Sequence, residues 1–369
     1  MDAAVTLSLS GPFARQGLDA AQGLTLWAEE TGVRLTVVDD GGSRRTATRA
    51  YGGWLDAGVE LLLGPYSGGL VRAVAPLVCG AGKPLWNHGG SGDDLARPGL
   101  VSLPAPASTY FDGAVDEAAA LRVGRLLVAS GAGPFARAVA EGAVARASAH
   151  GLDARTVGAG SLAAEDAGGA VLVVGRFEED VAQVRLLRGL SHRGTPRSTG
   201  APPRGSPDPS RSTWAPPRGS PDPSGGSPGP PRPRGPALLG AVAAGLPAFG
   251  ELGAAAEGVL GPVQWWPTSR TPQVGPSGAD FAAGYRRLVG HEPSYVAAQA
   301  AAAGYLALAA HGLGLAAEDL PGWRTSTLLG DFALDGSWRQ VGHRVTTIRW
   351  RDGRMVPLVP RPGAHGGLD

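Results

Sequence analysis

The stretch Val59-Glu60-Leu61-Leu62-Leu63-Gly64-Pro65-Tyr66-Ser67-Gly68-Gly69-Leu70-Val71 changes its periodicity in the middle. Its first five residues form a short, mostly apolar run, as expected of a strand covered on both faces. Its end begins a helical stripe of Leu70, Val71, Val74, Ala75 and Val78. Between them, glycines let backbone N–H groups face outward at a helix start, and Ser67 adds a hydroxyl. Such a turn is built to receive an anion. The same unit recurs along the chain, with strand-like runs at 5–10, 33–39, 84–86, 125–130 and 170–174. Helical stretches fall between them, one carrying Ala20, Leu24, Trp27 and Ala28 at i, i+4, i+7 and i+8. This alternation predicts an α/β fold of βα units with a parallel sheet. Right-handed crossovers then put the loops after the strands along one edge, where ligands of open α/β sheets collect.

The next such loop is Trp86-Asn87-His88-Gly89-Gly90-Ser91-Gly92-Asp93-Asp94. It is again rich in glycine, with Ser91 as the expected N-cap and amides directed to the same edge. Either loop alone is a weak signal. Two in adjacent βα units offer a grip for one carboxylate.

Residues 193–236 break the pattern. They hold fourteen prolines, and APPRGSPDPS occurs twice, at 201–210 and 215–224. Proline removes donors and glycine adds backbone entropy, so a disordered insertion is expected rather than a packed element. Its seven arginines against two aspartates leave a tail for nucleic acid or an acidic partner as the other reading. The α/β pattern resumes with strand-like 238–244 and 258–265 and helical 279–289 and 295–310. The chain then reads as an antiparallel pair, 345–350 and 354–359, flanking the hairpin signal Asp352-Gly353.

Composition narrows the function. Of 369 residues, 33 are Lys or Arg and 32 Asp or Glu, a formal charge of +1, which argues against nucleic-acid binding by bulk electrostatics and against a polybasic membrane binder. One cysteine, Cys79, excludes an internal disulfide and a Cys-based metal cage. No run approaches the ~20 apolar residues of a membrane span. Strand-like residues follow Met1 almost at once, so the expectation is that no export signal precedes them; either the chain works in the cytoplasm or the cell uses another start.

Seven histidines show no metal-binding spacing, and no nucleophile elbow, phosphate loop or dinucleotide fingerprint is present. Asp39-Asp40 reads as a strand-end loop or one corner of a metal site. Glu178, Glu179 and Asp180 read as favourable charges at a helix start. No catalytic constellation, metal site or cofactor is expected.

At these residues the chain resembles the type I periplasmic binding proteins, specifically the substrate-binding subunits of branched-chain amino acid ABC transporters. The similarity runs through Leu9-Ser10-Gly11-Pro12-Phe13 with Gly17, the Val59–Gly69 turn region, residues 83–95, Leu252-Gly253 with Glu257-Gly258-Val259, and Pro293-Ser294-Tyr295 before an Ala-rich helix. It implies two Rossmann-like lobes joined by three crossovers and closing on a small amino-acid-like ligand. The first lobe would take 1–118 plus 268–327, the second 119–267 plus 328–360, with 361–369 a flexible tail. It implies that Ser67, Gly89 and Ser91 hold the ligand's α-carboxylate by hydroxyl and backbone N–H, with Phe135 covering the ligand and Phe177 at the cleft. Trp265 and Trp266 would line the wall. His88 would either read a carboxylate or cap its loop. The family's acidic partner for an ammonium has no counterpart around 245–250, leaving Glu178 as a substitute, and 158–169 is short for the helix expected there. The partners implied are the ligand and an ABC permease, in the periplasm or at the cell surface. A cytoplasmic sensor on the same fold is the alternative.

Overall fold

The computed structural model describes residues 1–162, 169–190 and 235–358. The expected disordered insertion, the short segment after Gly158 and the C-terminal tail fall wholly or mostly outside those residues.

The first lobe is built on five parallel strands, β1 (Asp2–Leu7), β2 (Arg34–Asp39), β3 (Leu61–Leu63), β4 (Leu85–Asn87) and β5 (Leu100–Ser102), in the order β2-β1-β3-β4-β5. Its helices are α1 (Ala14–Thr31), α2 (Arg44–Asp56) and α3 (Gly68–Gly80). The chain then enters the second lobe through α4 (Asp112–Ala120). There β6 (Arg125–Ser130), α5 (Pro134–Ala149), β7 (Asp153–Gly158), β8 (Ala170–Val174), α6 (Phe177–Leu190), β9 (Leu238–Ala241) and β10 (Leu260–Val263) follow. The return to the first lobe supplies α7 (Gly278–Val289), α8 (Tyr295–Gly312) and a hairpin of β11 (Arg324–Thr327) and β12 (Gly330–Ala333). A last passage adds β13 (Thr346–Arg351), antiparallel to β10, and β14 (Arg354–Pro357). The second sheet therefore runs β14-β13-β10-β9-β8-β6-β7.

Each sheet is covered on both faces, which explains why its inner strands are apolar throughout. In the first lobe Trp27, Phe281, Tyr285 and Leu306 pack on one side, and Tyr51, Leu70, Val74 and Leu85 on the other. Helices α1 and α8 lie close because glycine occupies the crossing. A Cβ on Gly23 would stand 2.2 Å from the Ala297 carbonyl oxygen, and one on Gly304 2.4 Å from the Trp27 ring.

Several expected boundaries shift. The first strand spans Asp2–Leu7 rather than 5–10, because residues 11–13 already turn into a 3-10 helix ahead of α1. The run at 238–244 stays extended only to Ala241, since Val242–Gly245 forms a 3-10 turn. Four strands lacked a sequence signal: β5, β11 and β12 are only three or four residues long, and β7 is a half-exposed edge strand with a polar face. The hairpin β11–β12 spans the expected lobe boundary at 327. Leu328, Phe332, Leu334 and Trp338 share an apolar core with Trp27 and Phe281 of the first lobe.

Two buried glutamines tie the three connecting segments together. Gln264 accepts from the Ala105 amide at 2.8 Å and donates to the Tyr110 hydroxyl at 2.6 Å. Gln340 accepts from the amides of Gly342 at 2.7 Å and His343 at 3.2 Å and donates to the Leu103 carbonyl at 3.5 Å. All three crossovers are thereby joined through side-chain amides.

The tight helix crossing yields an expectation. Gly23→Ala forces a methyl against backbone that cannot rotate away, so the variant should lose about 1–3 kcal/mol in urea unfolding. Wild-type stability would show that α1 and α8 separate freely.

Candidate functional site

The loop after β3 becomes the start of α3. Ser67 is its N-cap, extended in backbone, with Oγ accepting from the Leu70 amide at 3.3 Å. Its carbonyl takes the Val71 amide at 2.9 Å. The amides of Gly68 and Gly69, at the head of the helix, have no intrahelical acceptor, and the Ser67 hydroxyl proton is still available to donate.

The loop after β4 is folded on the Asn87 side chain. Asn87 Oδ1 accepts from the amides of Gly90 at 2.8 Å and Gly89 at 3.2 Å, while its Nδ2 donates to the Gly90 carbonyl and the Ser102 hydroxyl. The two loops touch: a Cβ on Gly89 would lie 2.1 Å from the Tyr66 carbonyl oxygen. They occupy neighbouring positions on one edge of the sheet, as their sequence predicts.

Three details differ from expectation. Gly89 already spends its amide on Asn87. Ser91 is not an N-cap; Gly92 precedes a single 3-10 turn, and the Ser91 carbonyl accepts from the Ala107 amide at 2.7 Å. His88 is turned into the protein rather than outward from the loop. It is fully buried, and burial pushes its imidazole down to about 4, the nearby Gly64 backbone offsetting this only in part.

Across from these loops stand the strand ends of the second lobe. Gly133, at φ 111°, and Pro134 open α5 and present Phe135, whose ring meets Tyr110 edge-on at 5.3 Å. Gly175-Arg176-Phe177 leads from β8 into α6. The Arg15 guanidinium, from α1 of the first lobe, lies 5.0 Å above the Phe177 ring and 3.5 Å from the Glu251 carboxylate of the second lobe.

Between the lobes lies a cleft of about 460 Å³, within the usual size of small-molecule sites. Ser67, Gly89, Ser91, Phe135, Phe177 and Glu178 all line it. Trp265 does not: at 6 % exposure it packs edge-on against Phe281 at 5.7 Å in the first lobe's core. Trp266 packs with the second lobe's apolar cluster. Apolar size at a strand end could not distinguish a wall from a core position.

The cleft also holds residues that the sequence reading did not assign to it, chiefly Phe13, Tyr66, Tyr110, Tyr295 and Asp180. Burial raises the phenols of Tyr66, Tyr110 and Tyr295, and Tyr66 and Tyr295 share a hydrogen bond, so these hydroxyls stay neutral. Asp180 is 1 % exposed, and burial holds its carboxyl well above the usual carboxylate range despite the Ala243 amide donating to Oδ2 at 2.9 Å; neighbouring Glu179 pushes it further up. Arg72 is engaged by Asp94 in a bidentate pair. Among the described residues no group of three or more His, Cys, Asp or Glu could hold a metal ion, and no helix is long and apolar enough to cross a membrane.

A family model described as periplasmic binding protein matches residues 3–173. No curated protein sequence matches the chain. The leucine-binding protein of Thermotoga maritima is similar in structure at TM-score 0.72 and 16 % identity, over 97 % of this chain and 98 % of that one. A branched-chain amino acid transporter substrate-binding protein from Streptococcus pneumoniae, solved with isoleucine, gives 0.70 and 15 % over 97 % and 99 %. An ABC-transporter solute-binding protein from R. palustris, solved with benzoate, gives 0.66 and 13 % over 97 % and 95 %. The chain has the type I periplasmic binding protein fold.

His88 sets an acid limit. Its folded value of about 4 lies below the ordinary 6.5, so its contribution is present above pH 6.5 and is lost as pH falls towards 4. His343, also buried and held near 4, adds a second contribution of the same sign. Denaturant unfolding at pH 7 and pH 4.5 should show His88→Leu losing less stability than wild type, by about 2–3 kcal/mol. Equal losses would mean that His88 is protonated in the folded state.

Proposed function

We propose that the protein reversibly binds a small amino-acid-like ligand in the interlobe cleft, as the substrate-binding component of an ABC uptake system. The observation that carries this reading is the contact of the two glycine-rich loops at the lip of the first sheet, opposite the aromatic residues of the second lobe. The Ser67 hydroxyl and the Gly68 and Gly69 amides would take the ligand's carboxylate, at the positive end of α3. Ser91 would add a hydroxyl. Gly89 contributes by being small, since any side chain there would separate the loops. Phe135 and Phe177 would cover the ligand from the second lobe, with Glu178 at the exposed rim.

The closed form binds the ligand on both sides and the open form on one. Ligand free energy therefore shifts the open–closed equilibrium by its differential affinity for the two. A permease that recognises the closed form would then read occupancy as shape. Structural neighbours solved with leucine, isoleucine and benzoate support a carboxylate as the shared ligand feature.

A thermal-shift screen across amino acids, amides and small carboxylates should return a stabilising hit through mass action; a flat screen at millimolar concentrations would overturn the reading. Two variants then test the carboxylate grip. Ser67→Ala should weaken the hit by about 1.5–3 kcal/mol in calorimetry and cost about 1 kcal/mol of stability through the lost cap. Ser67→Asp keeps the cap but places a negative charge at the anion position, so it should stay folded and bind no carboxylate. Undiminished affinity in both removes Ser67 from the site.

A further inference from the structure

Among the described residues no cation stands beside one buried carboxyl in the second lobe's wall. Asp180 sits in the first turn of α6, almost fully buried, and lines the cleft. One carboxylate oxygen, Oδ2, accepts from the Ala243 amide. The other, Oδ1, is buried with no partner at hydrogen-bonding geometry among the described residues. Among the described residues the elements packed around it bring no cation. From the end of β8 comes Gly175, whose backbone amide bears on the carboxyl and where a Cβ would lie 3.3 Å from Oδ1. The turn after β9 supplies the Val242 and Ala243 amides, and α6 itself supplies Glu179, a like charge whose Oε2 accepts from the Arg176 amide at 3.0 Å. A charged carboxylate with half its acceptor capacity unanswered is expensive in such a place. Either a proton stays on Oδ1, or a donor arrives from the cleft.

We propose that ligand binding here is a proton exchange, in which Asp180 gives up its proton as Oδ1 accepts a hydrogen bond from a cationic N–H of the ligand. This rests on the cleft being the binding site. The bond broken is the carboxylic O–H of Asp180, and the proton passes to bulk solvent. The ligand ammonium keeps its own protons, so a neutral acid is replaced by a neutral ion pair. The ligand class follows: a small carboxylate whose second head group is a protonated amine. A carboxylate without the amine leaves Asp180 protonated and exchanges nothing.

Calorimetry with the common L-amino acids, in buffers of differing ionisation enthalpy at pH 6 and pH 8, tests this. The amine-free counterparts are 4-methylpentanoate, 3-phenylpropanoate and benzoate. Amino acid binding should release up to one proton. Its affinity should rise by up to about tenfold per pH unit while free Asp180 remains protonated. Asp180→Asn keeps an acceptor for the Ala243 amide, so circular dichroism should be unchanged; it should bind the amino acid more weakly, with no proton release and no pH slope. Amino acid binding that is independent of buffer, or tightest binding by an amine-free acid, overturns the proposal and leaves the cleft reading standing. No binding by any probe overturns the cleft reading and the proposal together.

Discussion

How near two backbone loops can come to each other governs this molecule. The Tyr66 carbonyl and the Gly89 Cα sit so close that a methyl group on residue 89 would penetrate the carbonyl oxygen. That contact sets the head of α3 beside the Asn87 loop and fixes the lip of the first sheet. Asn87 then consumes two amides of its own loop, which holds the loop in shape but withdraws Gly89 from ligand duty. The unused donors belong to the α3 turn. Rigidity on one side and open valence on the other is what a binding lip requires.

The division between what the sequence disclosed and what it concealed follows from the range of the interactions. Strands β6 and β8 and helix α7 were legible to within a residue, because their period and boundaries are local properties. The six cleft-lining residues identified in advance sit at strand ends, where chain order places them. His88 and Trp265 occupy similar places in the pattern, yet they point into the core, because that choice is made by what packs behind the loop. Asp180 was readable as a helix-start charge, and its surface counterparts Glu178 and Glu179 are consistent with that. Its burial is decided by the turn after β9, more than sixty residues later in the chain. Tyr110 gave no signal at all, since its neighbours in the cleft come from three distant segments.

The connections between lobes show a comparable economy. Gln264 links the second passage to the first and touches the cleft through the Tyr110 hydroxyl. Gln340 links the third passage to the first. An amide side chain both donates and accepts, so it can bridge segments without introducing a buried charge. Gln264 thus ties a residue that lines the cleft to two of the passages between the lobes.

Arg15 reaches from the first lobe to the second, with its guanidinium over Phe177 and near Glu251. This side chain of the first lobe thereby contacts two residues of the second. Both ends of this crossbar are partly wet, and its hold fades as electrolyte rises. Brine would loosen this one link between the lobes and leave the buried contacts around it unaltered.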